Sequence, residues 1–247
     1  LENNIIGNIN MGSIAMGVAG HEIWHPNPDF YYKYGGGPVL DMGPYYFTAL
    51  VNLLGPAKSV YSQSRTVYKK RVIGSGNRKN EEVEVDIPTT LVSLIEFESG
   101  ALIDSFFSFD TWKHNKNHIE LYGDKGSINI PDPNTFGGSI QICTEKNGKW
   151  QTIPTNEKNL GKINIYRSEK TNENPGIANY RGIGVSEMVD SIKHKKLNRC
   201  SGQLSLHVLD ILDTIIKSAK EEKKLDLRSS VNEVKYFSEE ENIKLLI

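Results

Sequence analysis

Three short polar turns set what this chain can fold into. Glu98-Ser99-Gly100 separates two apolar runs, Thr89 to Phe97 and Ala101 to Phe109. Gly123-Asp124-Lys125-Gly126 separates His118 to Tyr122 from Ser127 to Ile130, and Asn147-Gly148 separates Ser139 to Thr144 from Trp150 to Pro154. Connections this short join antiparallel neighbours, because a parallel pair needs a long crossover. Met11 to Gly20 and Ser59 to Lys69 read as further strands. A helix runs from about Pro44 to Leu54, burying Phe47, Leu50, Val51 and Leu54, and Gly55-Pro56 ends it. In the last quarter, Ile183, Met188, Val189 and Ile192 fit one helix. Leu204, Val208, Leu209, Leu212, Ile215, Ile216 and Ala219 fit a longer one capped by Ser201, and Ser230 with Glu233 makes the capping box of a third. Residues 70–86 and 155–180 are polar and aperiodic, and read as surface loops. The order predicts an α+β fold: one large, open-faced, mostly antiparallel sheet with helices on one face, residues 1–247 forming a single domain. Phe106, Phe107 and Trp112 are assigned to the face the helices leave bare. An apolar face of that size predicts a homo-oligomer packed sheet to sheet, unless the two polar loops cover it.

Composition excludes several classes. A net charge of −1 over 247 residues gives no drive toward nucleic acid or a membrane surface. No signal peptide and no apolar run long enough to span a bilayer is present, and Cys143 and Cys200 are too few for a disulfide framework, so a cytoplasmic protein is expected. Leu1 to Gly7 reads like the tail of a helix already under way, which predicts a piece of a longer protein.

His21-Glu22-Ile23-Trp24-His25 spells the H-E-x-x-H of zinc proteases, but the motif needs a helix. Pro26 pushes His25 out of the helical region, so no metal is expected there. Gly74-Ser75-Gly76 and Gly182-Ile183-Gly184 lack the third glycine and the strand–helix setting of a nucleotide loop. Asp41-Met42-Gly43-Pro44-Tyr45 is different. With Gly43 as N-cap and Pro44 as first helical residue, a carboxylate and a phenol sit four residues apart at a helix mouth, beside the hinge Gly35-Gly36-Gly37. A phenol is a poor base at neutral pH without a neighbouring cation, and none is evident in the sequence. From spacing alone, Asp41 as a mere cap and Tyr45 as packing is an equally open reading.

The stretch from His25-Pro26-Asn27-Pro28-Asp29 through Gly35-Gly36-Gly37-Pro38-Val39-Leu40-Asp41-Met42-Gly43-Pro44-Tyr45-Tyr46 closely resembles the start of the C-terminal domain of the glucose–fructose oxidoreductase / inositol dehydrogenase (Gfo/Idh/MocA) family. Arg199-Cys200-Ser201-Gly202-Gln203-Leu204-Ser205-Leu206-His207-Val208-Leu209 looks like that family's last long helix, and Asn179-Tyr180-Arg181-Gly182-Ile183-Gly184 like the segment before it. The resemblance implies the substrate-binding and oligomerisation half of an oxidoreductase. Its intact form would use NAD or NADP on a sugar or polyol. No G-x-G-x-x-G and no equivalent of the family's catalytic lysine motif is found, so the N-terminal Rossmann domain is expected to be absent from this chain and no cofactor to bind it alone. Many members carry D-x-G-x-H, the Asp positioning substrate and the His exchanging a proton. Tyr45 stands at the His position here, as in some other members, so Tyr45 and Asp41 are the implied catalytic pair. His25, Asn27, Asp29 and Lys33 are expected at the substrate rim, with His207 reaching in from the last long helix. The competing reading is a non-catalytic carbohydrate-binding or assembly module without a cofactor.

Overall fold

The computed structural model describes residues 4–155, 158, 160–161, 180–232 and 241. Its chain order is β1 (Ile9–Gly17), two 3-10 turns (His21–Ile23 and Asp29–Tyr32), α1 (Pro38–Leu54), β2 (Ala57–Arg65), β3 (Lys70–Val72) and β4 (Glu82–Glu84). Then come β5 (Thr90–Phe97), β6 (Leu102–Ser108), β7 (Ile119–Gly123), β8 (Ser127–Ile130), β9 (Ile140–Cys143) and β10 (Gln151–Ile153). The chain continues with α2 (Ile183–His194), α3 (Gly202–Glu221) and β11 (Leu225–Asp226). Nine strands form one sheet in the order β10-β9-β8-β7-β1-β6-β5-β2-β11. Every pair is antiparallel except β1 with β6, which runs parallel from Met11↔Leu102 to Gly17↔Ser108. The three expected hairpins are β5–β6, β7–β8 and β9–β10, each in register across its predicted turn.

Helices α1 and α3 pack on one face of this sheet and on each other. Val39, Phe47, Leu50 and Val51 of α1 meet Val208, Ile211, Leu212 and Ile215 of α3 over Ile14, Val60, Ile95, Ile103 and Phe107, all buried. Each such side chain contributes about 1.5–3 kcal/mol on leaving water. Ser201 caps α3 as expected, its Oγ accepting the Leu204 N–H at 3.2 Å. Glu233 lies outside the described residues, so the third capping box does too, as does most of 155–180.

The opposite sheet face is open. Met11, Tyr61, Val92, Leu94 and Leu102 are exposed along it, with Val92 paired to Phe106 and Tyr61 to Leu94. Two of the aromatics assigned to that face are elsewhere. Side chains alternate along a strand, so Phe106 is on the open face while Phe107 points the other way into the core, fully buried against Phe47 and Tyr46. Trp112 is 89% exposed and lies beyond β6, in the connection to β7.

Three further expectations change. Helix α1 starts at Pro38, six residues before Pro44, because Gly37 at φ 95° breaks the preceding loop and Pro38 takes the first helical position. Pro44 therefore sits inside the helix. Gly43 is buried, not a cap; a Cβ there would come within 2.5 Å of Leu212 Cδ2, so its role is to let α3 approach. Residues 70–86 contain a two-stranded hairpin, β3–β4, that packs against both 3-10 turns. Helix α2 forms where expected, yet Met188, Val189 and Ile192 are exposed, and its buried residues are Glu187 and Ser191.

Candidate active site

The loop between β1 and α1 builds one wall of a cavity of about 480 Å³. Val18 leaves the sheet, the loop folds back through the two 3-10 turns, and Gly35, Gly36 and Gly37 return it to α1. A Cβ on Gly36 would collide with the Phe30 carbonyl at 2.2 Å, so the return is this tight only because that residue is glycine. Asp41 then falls in the first turn of α1, its N–H bonded to the Gly37 carbonyl at 3.0 Å, where the helix dipole favours a negative charge. Tyr45 follows one turn later. Their four-residue spacing places both on one face of the helix, and both line the cavity, Tyr45 with 38% of its surface exposed.

The sequence did not reveal what holds Asp41. His21 Nε2 lies 3.0 Å from Asp41 Oδ2. The His21 ring packs against Tyr31 (4.3 Å between centroids), Phe109 (4.6 Å) and Trp24 (5.4 Å). Its backbone N–H donates to the Tyr32 hydroxyl at 3.0 Å. Tyr32 in turn donates to Glu22, and burial followed by that bond pushes its phenol well above the ordinary tyrosine value. Glu22 is ion-paired at 2.9 Å to Arg71, which also binds Asp110 and the Phe109 carbonyl. A buried charge network rooted in β3 thus fixes the loop that carries His21.

The same cavity is also lined by Tyr46, His114, His118, Asp132, Asn134 and Arg181. Tyr46 is fully buried, its hydroxyl 2.8 Å from His118 Nδ1 and 3.3 Å from Asp132 Oδ1. Burial, then the Asp132 charge, push its phenol far up, so it stays protonated and serves as a donor. His118 and Asp132 come from the β6–β7 and β8–β9 connections, whose contribution no local motif announces.

The other residues expected at the site do not line this cavity. His25 packs on Trp24 and Phe30, and its Nδ1 accepts the Asn27 N–H at 3.1 Å, with Asn27 itself exposed. Asp29 is held by both terminal nitrogens of Arg78, whose bonds lower its carboxyl, and Lys33 pairs with Asp86 at 2.8 Å. These contacts brace the loop against the β3–β4 hairpin. His207 is fully buried on the inner side of α3. Its Nε2 accepts the Ala57 N–H at 2.9 Å and its Nδ1 lies 3.0 Å from Ser229 Oγ, so it fastens α3 to the start of β2 and does not reach the cavity.

His21–Ile23 is a single 3-10 turn, and Glu22 is consumed by Arg71 and Tyr32, so H-E-x-x-H has neither its helix nor its free base. Gly74 is pressed on the Ile23 backbone and Gly76 on Pro26, which leaves no room there for a dinucleotide pyrophosphate, while Gly182 caps α2. No described helix is long and apolar enough to cross a membrane.

An open, mostly antiparallel nine-stranded sheet backed by helices on one face is the fold of an oxidoreductase C-terminal domain. The sequence profile of the GFO/IDH/MocA C-terminal domain matches residues 1–129, just over half of the chain, and the chain belongs to this family. Similar solved structures include an NAD binding oxidoreductase from Klebsiella pneumoniae (17% identity, TM-score 0.70, covering 93% of this chain and 61% of that one). A levoglucosan dehydrogenase in complex with NADH and L-sorbose is also similar (19%, TM-score 0.67, 92% and 61%). So is an aldose-aldose oxidoreductase from Caulobacter crescentus complexed with glycerol (16%, TM-score 0.62, 92% and 58%). This chain therefore spans about three fifths of the length of these structures. A comparison with curated protein sequences finds no match.

Proposed function

We propose that this chain is the substrate-binding domain of an oxidoreductase that uses NAD or NADP on a hydroxyl or carbonyl of a sugar or polyol. The observation that carries the reading is that Asp41 and Tyr45, one helical turn apart, line the same cavity. Oxidising an alcohol removes a hydride from carbon and a proton from oxygen. Tyr45 is the partly exposed hydroxyl placed to exchange that proton, and Asp41 accepts a hydrogen bond from a neighbouring substrate hydroxyl and orients it. The sequence holds no G-x-G-x-x-G motif, so the hydride acceptor is assigned to a separate Rossmann domain and no step is derived through it. The open sheet face is assigned to self-association, and the cytoplasm to its location, in keeping with free Cys143 and Cys200. The second reading, a carbohydrate-binding or assembly module without a cofactor, draws support from the same missing motif.

Calorimetry with a panel of sugars and polyols, and separately with NADH, tests the assignment. The expected result is polyol binding that weakens in Asp41→Asn and no heat with NADH. An absence of binding by any sugar or polyol overturns it. Joined to a dinucleotide domain, Tyr45→Phe should lower turnover far more than affinity, whereas the module reading predicts no turnover to lose.

A further inference from the structure

We propose that His21 is the positioning residue for Asp41, holding one carboxylate oxygen so that the other is presented in a fixed direction to a single substrate hydroxyl. This rests on the polyol reading above. Nε2 is 3.0 Å from Asp41 Oδ2, while Nδ1 is buried and has no hydrogen-bond partner among the described residues. In a neutral imidazole one nitrogen carries the proton. If Nδ1 carried it, a buried donor would be unmet and two lone pairs would face each other across 3.0 Å. With the proton on Nε2, the ring donates to Asp41 and only a lone pair is left buried. Packing and backbone ties hold the ring at this bond. Tyr31 and Phe109 pack against it as tilted neighbours, and its backbone N–H is tied to Tyr32, hence through Glu22 to Arg71.

The carboxylate torsion of an aspartate is otherwise broad and roughly two-fold. Holding Oδ2 removes that freedom before substrate arrives, and a preorganised acceptor binds more tightly than a loose one. His21 comes from the H-E-x-x-H segment, whose resemblance to a zinc motif obscured this use. Its role lies 20 residues away in the chain from the group it orients.

Two measurements on the 247-residue chain test the proposal. The first needs no ligand: imidazole 15N shifts of His21 should show Nε2 protonated and Nδ1 bare, and a proton on Nδ1 overturns the assignment. The second compares His21→Phe, which keeps the ring packing and removes the donor, with His21→Gln, whose amide N–H can replace Nε2–H. Calorimetric affinity for myo-inositol, sorbitol and glycerol should fall about tenfold or more in His21→Phe and stay within about threefold of wild type in His21→Gln. Melting temperatures recorded alongside identify loss through unfolding, and rescue by Gln is what a purely structural ring would not give. Wild-type affinity in a folded His21→Phe overturns this proposal alone. No binding of any of the three polyols by the wild-type chain overturns the polyol reading and the substrate half of this proposal with it.

Discussion

Arg71 Nη1 lies 2.9 Å from Glu22 Oε1, and both side chains are almost wholly withdrawn from water. The pair joins a peripheral hairpin to the loop that carries His21, and Asp110, just past β6, pairs with the other terminal nitrogen of Arg71. Removing one partner of a buried pair leaves an uncompensated charge, which costs about 3–5 kcal/mol. Arg71→Met should therefore lower the free energy of unfolding by about that amount, read from urea denaturation. The same variant should loosen the His21 loop, seen as faster amide exchange at His21 and Gly74, whose N–H groups are bonded to Tyr32 and the Glu22 carbonyl. A loss below about 1 kcal/mol would mean that the network is solvated.

Burial holds the His207 imidazole below its ordinary value of about 6.5 despite the nearby Asp210 and Glu98 charges. Between the two values the unfolded chain binds a proton that the folded chain does not. Stability is then complete above about pH 6.5 and is lost as the pH falls through the folded value. Urea midpoints measured between pH 8 and 5 should decline on the acid side of that range, and His207→Gln should flatten this part of the profile. An unchanged slope in the variant would assign the decline to other groups.

Phe106 and Phe107 are neighbours in sequence on opposite faces of β6. Phe107→Ala should cost about 3–5 kcal/mol because it opens a hole beside Phe47 and Tyr46. Phe106→Ala should cost under about 1 kcal/mol at low protein concentration. Denaturation of the two variants side by side measures the contrast, and equal losses would place both rings in one core.

The sheet was legible because its hairpins are local: turn chemistry at Glu98-Ser99-Gly100 and alternation on either side specify β5–β6 without reference to anything distant. The parallel pairing of β1 with β6 was not, since it joins strands some 90 positions apart with no local mark, as in Met11↔Leu102. Within the site, Asp41 and Tyr45 were legible because their spacing falls within one helical turn. The start of α1 was misplaced because Pro44 and Gly43 mimic a helix entrance; Gly43 in fact answers a packing demand from Leu212, which sequence spacing cannot express. His21, His118 and Asp132 were missed for a related reason. Each reaches the cavity from a different element, and the strongest motif around His21 pointed to other chemistry. His207 was misassigned because a histidine on an apolar helix face looks the same in sequence whether it meets a ligand or, as here, the Ala57 N–H.

The open face gives a prediction about assembly. Leu94, flanked by Tyr61 and Asp104 in register, is 47% exposed. If this face joins copies of the chain, Leu94→Lys should shift the mass measured by light scattering toward the monomer without lowering the unfolding midpoint of the monomer. A wild-type chain that is monomeric at high micromolar concentration would remove the assignment.

The place where a polyol binds decides the function proposed for this chain. Backbone amide shifts recorded as sorbitol or myo-inositol is added locate the site without any enzyme assay. The largest changes should fall on the cavity residues His21, Asp41, Met42, Tyr45 and His118, and should vanish in Asp41→Asn. Shifts confined to the open sheet face, or none at saturating polyol, would contradict the central claim.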